Sequence, residues 1–238
     1  DVAGLFQSVL VLGTQYFAPL TNSLAYYTYP RMSELREPAD ISREINATMR
    51  LLLLLCTPAI VAMGTVVEPL LLILFSARFV AAAPMLAWQI LGEWIRVPMR
   101  SMGLAVLGQG RSKPYILFDS LAYVVLIAVT AACGGMFEVT RNGHLMTLAP
   151  NIGYACGALA SAGGFYWVTR REFGFRLSRE NRILIAASLP VLALALFVSP
   201  GGAWACAAAG AKIAALAVWA VSVTRRDEWR RLLSLIRR

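Results

Sequence analysis

Four polar residues interrupt an apolar stretch near the middle of the chain, and their spacing places them on one face of a predicted helix. They are Gln89, Glu93, Arg96 and Arg100, at positions i, i+4, i+7 and i+11. An ionised side chain at bilayer depth costs about 2.5–3.5 kcal/mol, so such a face must meet a polar partner or a watery cavity.

Two interpretations of this polar face follow from its chemistry. Arg96 and Arg100 could line a cavity that meets a charged substrate. Alternatively, Glu93 pairs internally with either arginine and ties helices together, while Arg100 extends towards the nearer membrane surface. We favour the cavity, with Gln89 and Glu93 among its polar walls.

A second polar stripe lies along the first apolar run. Its members fall in two adjacent rows, each with a seven-residue spacing: Gln7, Thr14 and Thr21, then Ser8, Gln15 and Asn22. We expect this stripe either to form hydrogen bonds between helices or to supply a second wall of the cavity, with Gln15 and Asn22 as substrate contacts.

The composition assigns the chain to the integral membrane proteins. Of its 238 residues, 58% are hydrophobic and only 15% are charged, whereas a soluble domain carries about 25% charged residues. The net charge of +9 is typical of basic cytoplasmic loops and does not require a nucleic-acid partner. The four cysteines are scattered singly through apolar runs and are interpreted as buried thiols.

Seven apolar runs are close to the length of about 20 residues that a membrane-spanning helix needs. They cover residues 3–29, 51–75, 80–108, 114–136, 145–169, 183–198 and 203–223. The sequence therefore predicts an all-α, polytopic transmembrane bundle over residues 1–224. Residues 30–50 are predicted to be a solvated connector, with Asp40 as the N-cap of any short helix there. In the fifth run, Gly153, Gly157 and Ser161 predict close packing of another helix.

The cations in the loops and the C-terminal tail predict the orientation of the bundle. Only Arg78 and Arg141 lie in the loops on one side, and all other loop and tail cations lie on the opposite side. By the positive-inside rule the C-terminus is cytoplasmic and Asp1 lies outside. Residues 225–238 are predicted to be a basic amphipathic tail that binds anionic lipids at the cytoplasmic surface. An odd number of spans starting outside leads us to expect a first helix upstream.

Three more charged residues fall within or beside the apolar runs. Asp119 in the fourth run and Arg100 in the third lie at similar depths if the two helices are antiparallel, which predicts contact or near contact between them. Glu68 lies near the outer end of the second run. Lys212 lies midway along the last run beside small residues, where it could snorkel, line a lateral groove or bind a lipid phosphate.

Enzymatic chemistry has little support in the sequence. The chain has a single histidine, His144, in a short outer loop, and residues 108–113 lack the spacing of a phosphate-binding P-loop. We therefore expect a protein that is not an enzyme and that uses neither a metal nor a cofactor.

Four short segments of the sequence resemble motifs of a known family of membrane exporters. The segments Gly4-Leu5-Phe6 and Tyr29-Pro30-Arg31-Met32-Ser33, and the later segments 69–79 and 83–86, are similar to motifs of the polysaccharide and O-antigen (lipopolysaccharide) flippases. These flippases belong to the multidrug, oligosaccharidyl-lipid and polysaccharide exporter superfamily. The resemblance covers about residues 1–120, and Phe6 and Ser76 depart mildly from the usual Tyr and Gly.

The resemblance implies a two-lobed flippase of the bacterial inner membrane that works by alternating access, of which this chain would be most of the C-terminal lobe. Its substrate would be a polyprenyl-diphosphate-linked oligosaccharide, and its partner would be the N-terminal lobe of the same protein. Arg96 and Arg100 would then meet the diphosphate or acidic sugars. Glu93, Asp119 and Glu68 would pair with charges or take part in ion coupling.

Three alternatives to this interpretation remain open from the sequence. A cation-coupled multidrug exporter of the same superfamily would be favoured by an acidic cavity. A membrane glycosyltransferase or polymer ligase would need catalytic carboxylates in long outer loops. A non-transporting membrane scaffold would pack the face from Gln89 to Arg100 tightly against other helices.

Overall fold

The computed structural model describes residues 2–140, 143–197 and 205–223, and the regular secondary structure in these ranges is all helical. Eight α-helices follow one another in the described ranges, with a short 3₁₀ segment, Ala77–Ala82, between the third and the fourth. The α-helices are α1 (Val2–Glu34), α2 (Pro38–Thr65), α3 (Val67–Leu74), α4 (Ala83–Gly108), α5 (Ser112–Thr140), α6 (Gly143–Phe173), α7 (Arg179–Phe197) and α8 (Ala205–Val223).

Helix α4 is the central element, and it packs against α1, α2 and α6. Its buried positions run almost around the helix, and they include small residues that let neighbours approach closely. At Gly92 an added Cβ would collide with the Tyr154 ring of α6, so this glycine makes room for an aromatic side chain. On the α2 side, Trp94 Nε1 donates a 3.1 Å hydrogen bond to Thr57 Oγ1.

The small-residue stripe of α6 packs against α5, as its spacing predicted. The carbonyl oxygens of Leu126 and Ala122 lie where Cβ atoms would project from Gly153 and Gly157. One turn further on, Ser161 Oγ donates a 2.7 Å hydrogen bond to the Phe118 carbonyl. The prediction of close helix packing here is confirmed, and its result is that α5 is fixed to α6 along more than two turns.

The second helix differs from the prediction at both ends. Residues 38–50 are not a solvated connector, because α2 begins at Pro38 and continues without interruption into the apolar run. Asp40 lies in its first turn, and the N-cap position belongs to Glu37. The helix ends at Thr65 because Pro69 has no amide hydrogen and its ring would clash with a helical carbonyl at Thr65. The chain bends at Val66, and α3 starts as a separate helix.

Helices α7 and α8 pack against α2 and against each other. Near the start of α7, Asn46 of α2 donates to the Arg176 carbonyl at 3.1 Å and accepts from the Ser178 amide at 2.9 Å. Asn181 Nδ2 of α7 in turn donates to the Asn46 carbonyl at 2.9 Å. Further along, Trp219 Nε1 of α8 donates to Ser188 Oγ at 3.0 Å.

The chain is a helical membrane protein. Three of the described helical segments are long and apolar enough to cross a membrane: Pro38–Thr65, Ser112–Gly134 and Arg179–Phe197. A shorter apolar helix covers Ala207–Val223. Helix α4 has the required length but contains Glu93, Arg96 and Arg100. The predicted amphipathic tail, residues 225–238, lies outside the described residues.

Candidate functional site

A cavity of about 340 Å³ opens between α1, α4, α5 and α6. Four polar or charged side chains from three of these helices line it, and apolar and aromatic residues complete the walls. The lining residues are Asn22, Ala25, Arg96, Met99, Arg100, Gly103, Leu104, Tyr115, Asp119 and Phe165. Because Arg100 lies eight residues before the end of α4, the cavity is roughly 12 Å from the C-terminal end of that helix.

Arg96 is the most firmly held side chain of the cavity. Its Nη1 donates a 2.7 Å hydrogen bond to the Tyr154 hydroxyl, and its Cζ lies 5.4 Å from the centroid of the same ring. Its Nη2 lies 4.0 Å from Asp119 Oδ1, and the side chain is 17% exposed. A hydrogen bond and a cation–π contact to one residue fix the guanidinium plane before any ligand arrives.

Tyr154 is a site residue that sequence reasoning missed. Its hydroxyl donates a short hydrogen bond to Glu93 Oε1 while it accepts the bond from Arg96. The predicted internal pairing of Glu93 with the arginines is therefore mediated by a phenol from α6. The only sequence signal was indirect, because Gly92 next to Glu93 leaves space for a large ring on the neighbouring helix.

Arg100 has a looser environment than Arg96. Its Nη1 donates a 3.3 Å hydrogen bond to Asn22 Oδ1, so α1 does supply a polar wall to the cavity. The expected contact between Arg100 and Asp119 takes a different form. Asp119 faces Arg96, one turn earlier on α4, and Arg100 lines the same cavity as Asp119.

One predicted contact, Gln89, is not among the described residues that line the cavity. Gln89 is fully buried and its side chain packs against Gly13 of α1. Neither amide atom of Gln89 has a hydrogen-bond partner among the described residues. The side chain of Gln15 lies outside the described residues. The polar face of α4 therefore meets two different neighbours, with Gln89 against α1 and the Glu93–Arg96 segment against α6.

The remaining predicted residues lie near the end of α2, where α3 begins. Glu68 lines a second, mainly apolar cavity of about 550 Å³ between the ends of α2, α3, α4, α6 and α7. Lys212 of α8 is buried nearby, with its Nζ 3.5 Å from the Gly64 carbonyl oxygen. Lys212 thus faces the bundle at this point, and its proposed contact with a lipid remains a prediction.

Two carboxyl groups lie close to the two arginines of the first cavity. Asp119 is at the cavity wall with Arg96 and Arg100, and Glu93 lies behind Tyr154. Opposite charges at short range reduce the cost of holding arginines among membrane helices. Within the described ranges, no group of three or more His, Cys, Asp or Glu residues could hold a metal ion.

Comparison with known proteins yields one distant, partial similarity. The chain is 28% identical over 131 residues to the "Lipid III flippase" of Escherichia coli (strain K12) and, to the same extent, to that of Shigella flexneri. The match covers 53% of this chain and 30% of each relative. No family model and no solved structure matches the chain. The chain is thus a helical membrane protein distantly related to proteins described as flippases rather than enzymes.

Proposed function

We propose that the chain is part of a transporter that moves a polyprenyl-diphosphate-linked oligosaccharide, such as an O-antigen or exopolysaccharide unit, across the bacterial inner membrane by alternating access. The observation that carries the proposal is the cavity in which Arg96 and Arg100 stand together between membrane helices. The partial similarity to lipid III flippases supports the same class of substrate. We infer no catalytic step, metal or cofactor.

Several features of the cavity suit a diphosphate headgroup. The two guanidinium groups lie on successive turns of α4 and both reach the same space. Phosphate oxygens accept paired N–H donors from arginine, and Arg96 is already oriented by Tyr154. Asn22 adds an amide group that can contact phosphate or sugar oxygens. A volume of about 340 Å³ accommodates a diphosphate but not a whole oligosaccharide.

The proposed arrangement in the membrane follows the sequence-based topology. Residues 1–224 form about seven spans and most of a C-terminal lobe, which works with an N-terminal lobe of the same protein. Residue 1 faces outside, and the basic tail of residues 225–238 binds anionic lipids on the cytoplasmic side.

The other proposed site residues have supporting roles. Glu93 holds Tyr154 and, through it, Arg96. We keep Gln15 as a second α1 contact and Gln89 as a polar residue whose unpartnered amide adjoins the same helix pair. Glu68, near Lys212 at the outer end, is a candidate for charge pairing with that lysine.

A cation-coupled multidrug exporter is the second candidate function. The observation in its favour is that two acidic side chains lie with the arginines, Asp119 at the cavity wall and Glu93 behind Tyr154. A non-transporting scaffold is less well supported, because the part of α4 around Arg96 and Arg100 borders open space instead of a fully packed interface.

Translocation of a polyprenyl-diphosphate-linked oligosaccharide tests the proposal directly. The full-length gene product would be reconstituted in vesicles, and the fraction of labelled lipid-linked sugar that crosses the membrane would be measured. Arg100→Gln removes a cavity charge that makes a 3.3 Å bond to Asn22 among the described residues. Arg78→Gln, the same change at an exposed residue outside the cavity, is the matched control.

We expect Arg100→Gln to lower translocation at least tenfold while Arg78→Gln transports at the wild-type rate. An Arg100→Gln protein that is folded and transports normally would contradict the assigned role of the cavity. If the wild-type protein moves no lipid-linked sugar but extrudes an organic cation against its gradient, the multidrug-exporter function replaces the proposal. Movement of neither compound would favour the scaffold.

A further inference from the structure

Asp119 is the one carboxylate on the wall of the arginine cavity, within the part of the chain that the structure describes. Its side chain is 36% exposed, whereas that of Arg96 is 17% exposed. The carboxylate therefore lies on the open side of the ion pair, where an incoming anion would first meet it. This position differs from that of Glu93, which is buried behind Tyr154.

The distance between Asp119 and Arg96 shows attraction without a formed hydrogen bond. Asp119 Oδ1 lies 4.0 Å from Arg96 Nη2, whereas a charge-assisted N–H···O bond is about 2.7–2.9 Å long. By contrast, the Nη1 atom of the same guanidinium makes a 2.7 Å bond to Tyr154. The Nη1 group of Arg96 is thus held by Tyr154, whereas its Nη2 group is paired loosely enough with Asp119 to bind a phosphate oxygen instead.

Helix α5, which carries Asp119, is held mainly by α6, and the Asp119 side chain borders the cavity, where it has room to rotate. Helix α5 is fixed to α6, where Ser161 binds the carbonyl of Phe118, the residue before Asp119. Contacts of α5 with α4 are few by comparison, and the cavity separates the two helices at this level. Rotation about the Asp119 side-chain bonds would remove the carboxylate from Arg96 without moving either helix.

We propose that Asp119 is a built-in counter-anion that the substrate's diphosphate displaces from Arg96. The inference rests on the proposed function, and it adds a residue that sets how tightly the headgroup binds and how readily it leaves. In the empty protein the carboxylate neutralises Arg96 among the membrane helices. When the headgroup arrives, a phosphate oxygen accepts the Nη2–H of Arg96 and the carboxylate turns away. When the headgroup departs, Asp119 returns.

Competition of this kind predicts opposite changes in affinity and turnover. Asp119→Asn keeps the size of the side chain but removes its charge, so the diphosphate no longer has to displace a carboxylate. We expect the Kd for a polyprenyl diphosphate, measured on the full-length protein in nanodiscs of zwitterionic lipid, to fall at least threefold. Translocation at saturating substrate should slow, because the carboxylate no longer helps to expel the headgroup. Asp119→Glu retains the charge and should bind with nearly wild-type affinity.

Two controls separate displacement from simpler effects. Glu172→Gln makes the same change from carboxylate to amide in the exposed pair with Arg111, whose atoms are 2.9 Å apart, and should leave the Kd unchanged. Asp119→Asn combined with Arg96→Gln tests the assigned partner. If Asp119 competes for Arg96, the gain in affinity disappears in the double variant, whereas general repulsion of anions by Asp119 would preserve it.

The outcomes distinguish this inference from the proposed function. A wild-type protein that binds no polyprenyl diphosphate overturns the proposed function itself. Wild-type binding with an Asp119→Asn affinity that is equal or weaker overturns only the counter-anion role. If Asp119→Asn does not fold, Asp119→Ser takes its place in the same measurement, with the same threefold fall in Kd expected.

Discussion

The Arg96 guanidinium donates a 2.7 Å hydrogen bond to the hydroxyl of Tyr154, and its Cζ lies 5.4 Å from the centroid of the same ring. Two contacts to one side chain orient the guanidinium plane as well as its position. Because Tyr154 belongs to α6 and Arg96 to α4, this contact also joins the two central helices. The pair therefore links the stability of the bundle to the geometry of the cavity.

Tyr154→Phe tests the hydroxyl while keeping the ring. The variant leaves the buried Glu93 carboxylate without its hydrogen bond, which we expect to cost about 1–3 kcal/mol of folding free energy. It also removes the hydrogen bond that positions Arg96 Nη1, so translocation should fall several-fold. Thermal unfolding in detergent and the vesicle transport assay would measure the two effects.

Tyr26→Phe is the matched control for this change, since it removes a hydroxyl from a side chain that is 83% exposed. It should unfold at the wild-type temperature. If Tyr154→Phe were as stable and as active as Tyr26→Phe, the hydrogen bonds at Tyr154 would have no part in positioning Arg96.

Arg96 and Arg100 should respond differently to the same conservative substitution. Arg96→Lys loses the oriented fork, the bond to Tyr154 and the ring contact, so we expect a lower unfolding temperature as well as weaker transport. Arg100→Lys loses only a 3.3 Å bond to Asn22 and should unfold close to the wild-type temperature.

The two lysine variants would be compared by thermal unfolding of detergent-solubilised protein at equal purity. Equal destabilisation by both would contradict the distinction between a fixed and a loosely held arginine. Greater destabilisation by Arg100→Lys would reverse it.

Gly157→Ala should disrupt the contact between α5 and α6. An added Cβ would collide with the Ala122 carbonyl oxygen, which belongs to helix backbone and cannot move alone. Overpacking of this kind costs about 1–3 kcal/mol. Gly163→Ala on the same helix is the control, because nothing lies within 4 Å of its Cβ position.

The unfolding temperatures of the two alanine variants should move in opposite directions. Gly163→Ala is expected to raise stability slightly, since alanine favours a helix over glycine by about 1 kcal/mol. A Gly157→Ala protein as stable as Gly163→Ala would show that α5 and α6 are not in backbone contact at this level.

Periodicity predicted the parts of this structure that depend on one helix at a time. The stripe of Gly153, Gly157 and Ser161 faces α5 because residues four apart share a helix face, whatever the partner is. The same rule placed Arg96 and Arg100 together on one side of α4. It also placed Asn22 on an α1 face that reaches Arg100.

Features that depend on how two helices meet could not be derived in this way. The role of Tyr154 depends on the register of α6 against α4, and nothing in the spacing of either helix specifies that register. Gln89 shares a face with Glu93 but lies opposite α1 instead of α6, so it is buried away from the cavity. The break at Val66 has a different, local cause. The ring of Pro69 would clash with the carbonyl of the preceding helical turn, and the hydrophobicity of the residues does not reveal that clash.

Asn46 should be the main polar connection between α2 and the start of α7. Its side chain donates to the Arg176 carbonyl and accepts from the Ser178 amide, and it lies 3.1 Å from Asn181 Nδ2. Asn46→Ala removes these three contacts and the 2.9 Å bond from Asn46 Nδ2 to the Ser42 carbonyl, each worth about 0.5–1.5 kcal/mol, and should lower the unfolding temperature clearly. Asn46→Asp keeps both acceptor contacts and loses the two bonds that Nδ2 donates, so it should fall between wild type and Asn46→Ala. Limited proteolysis of the 174–178 connection would report the same order, and equal resistance of the three proteins would show that α7 is held by its apolar contacts alone.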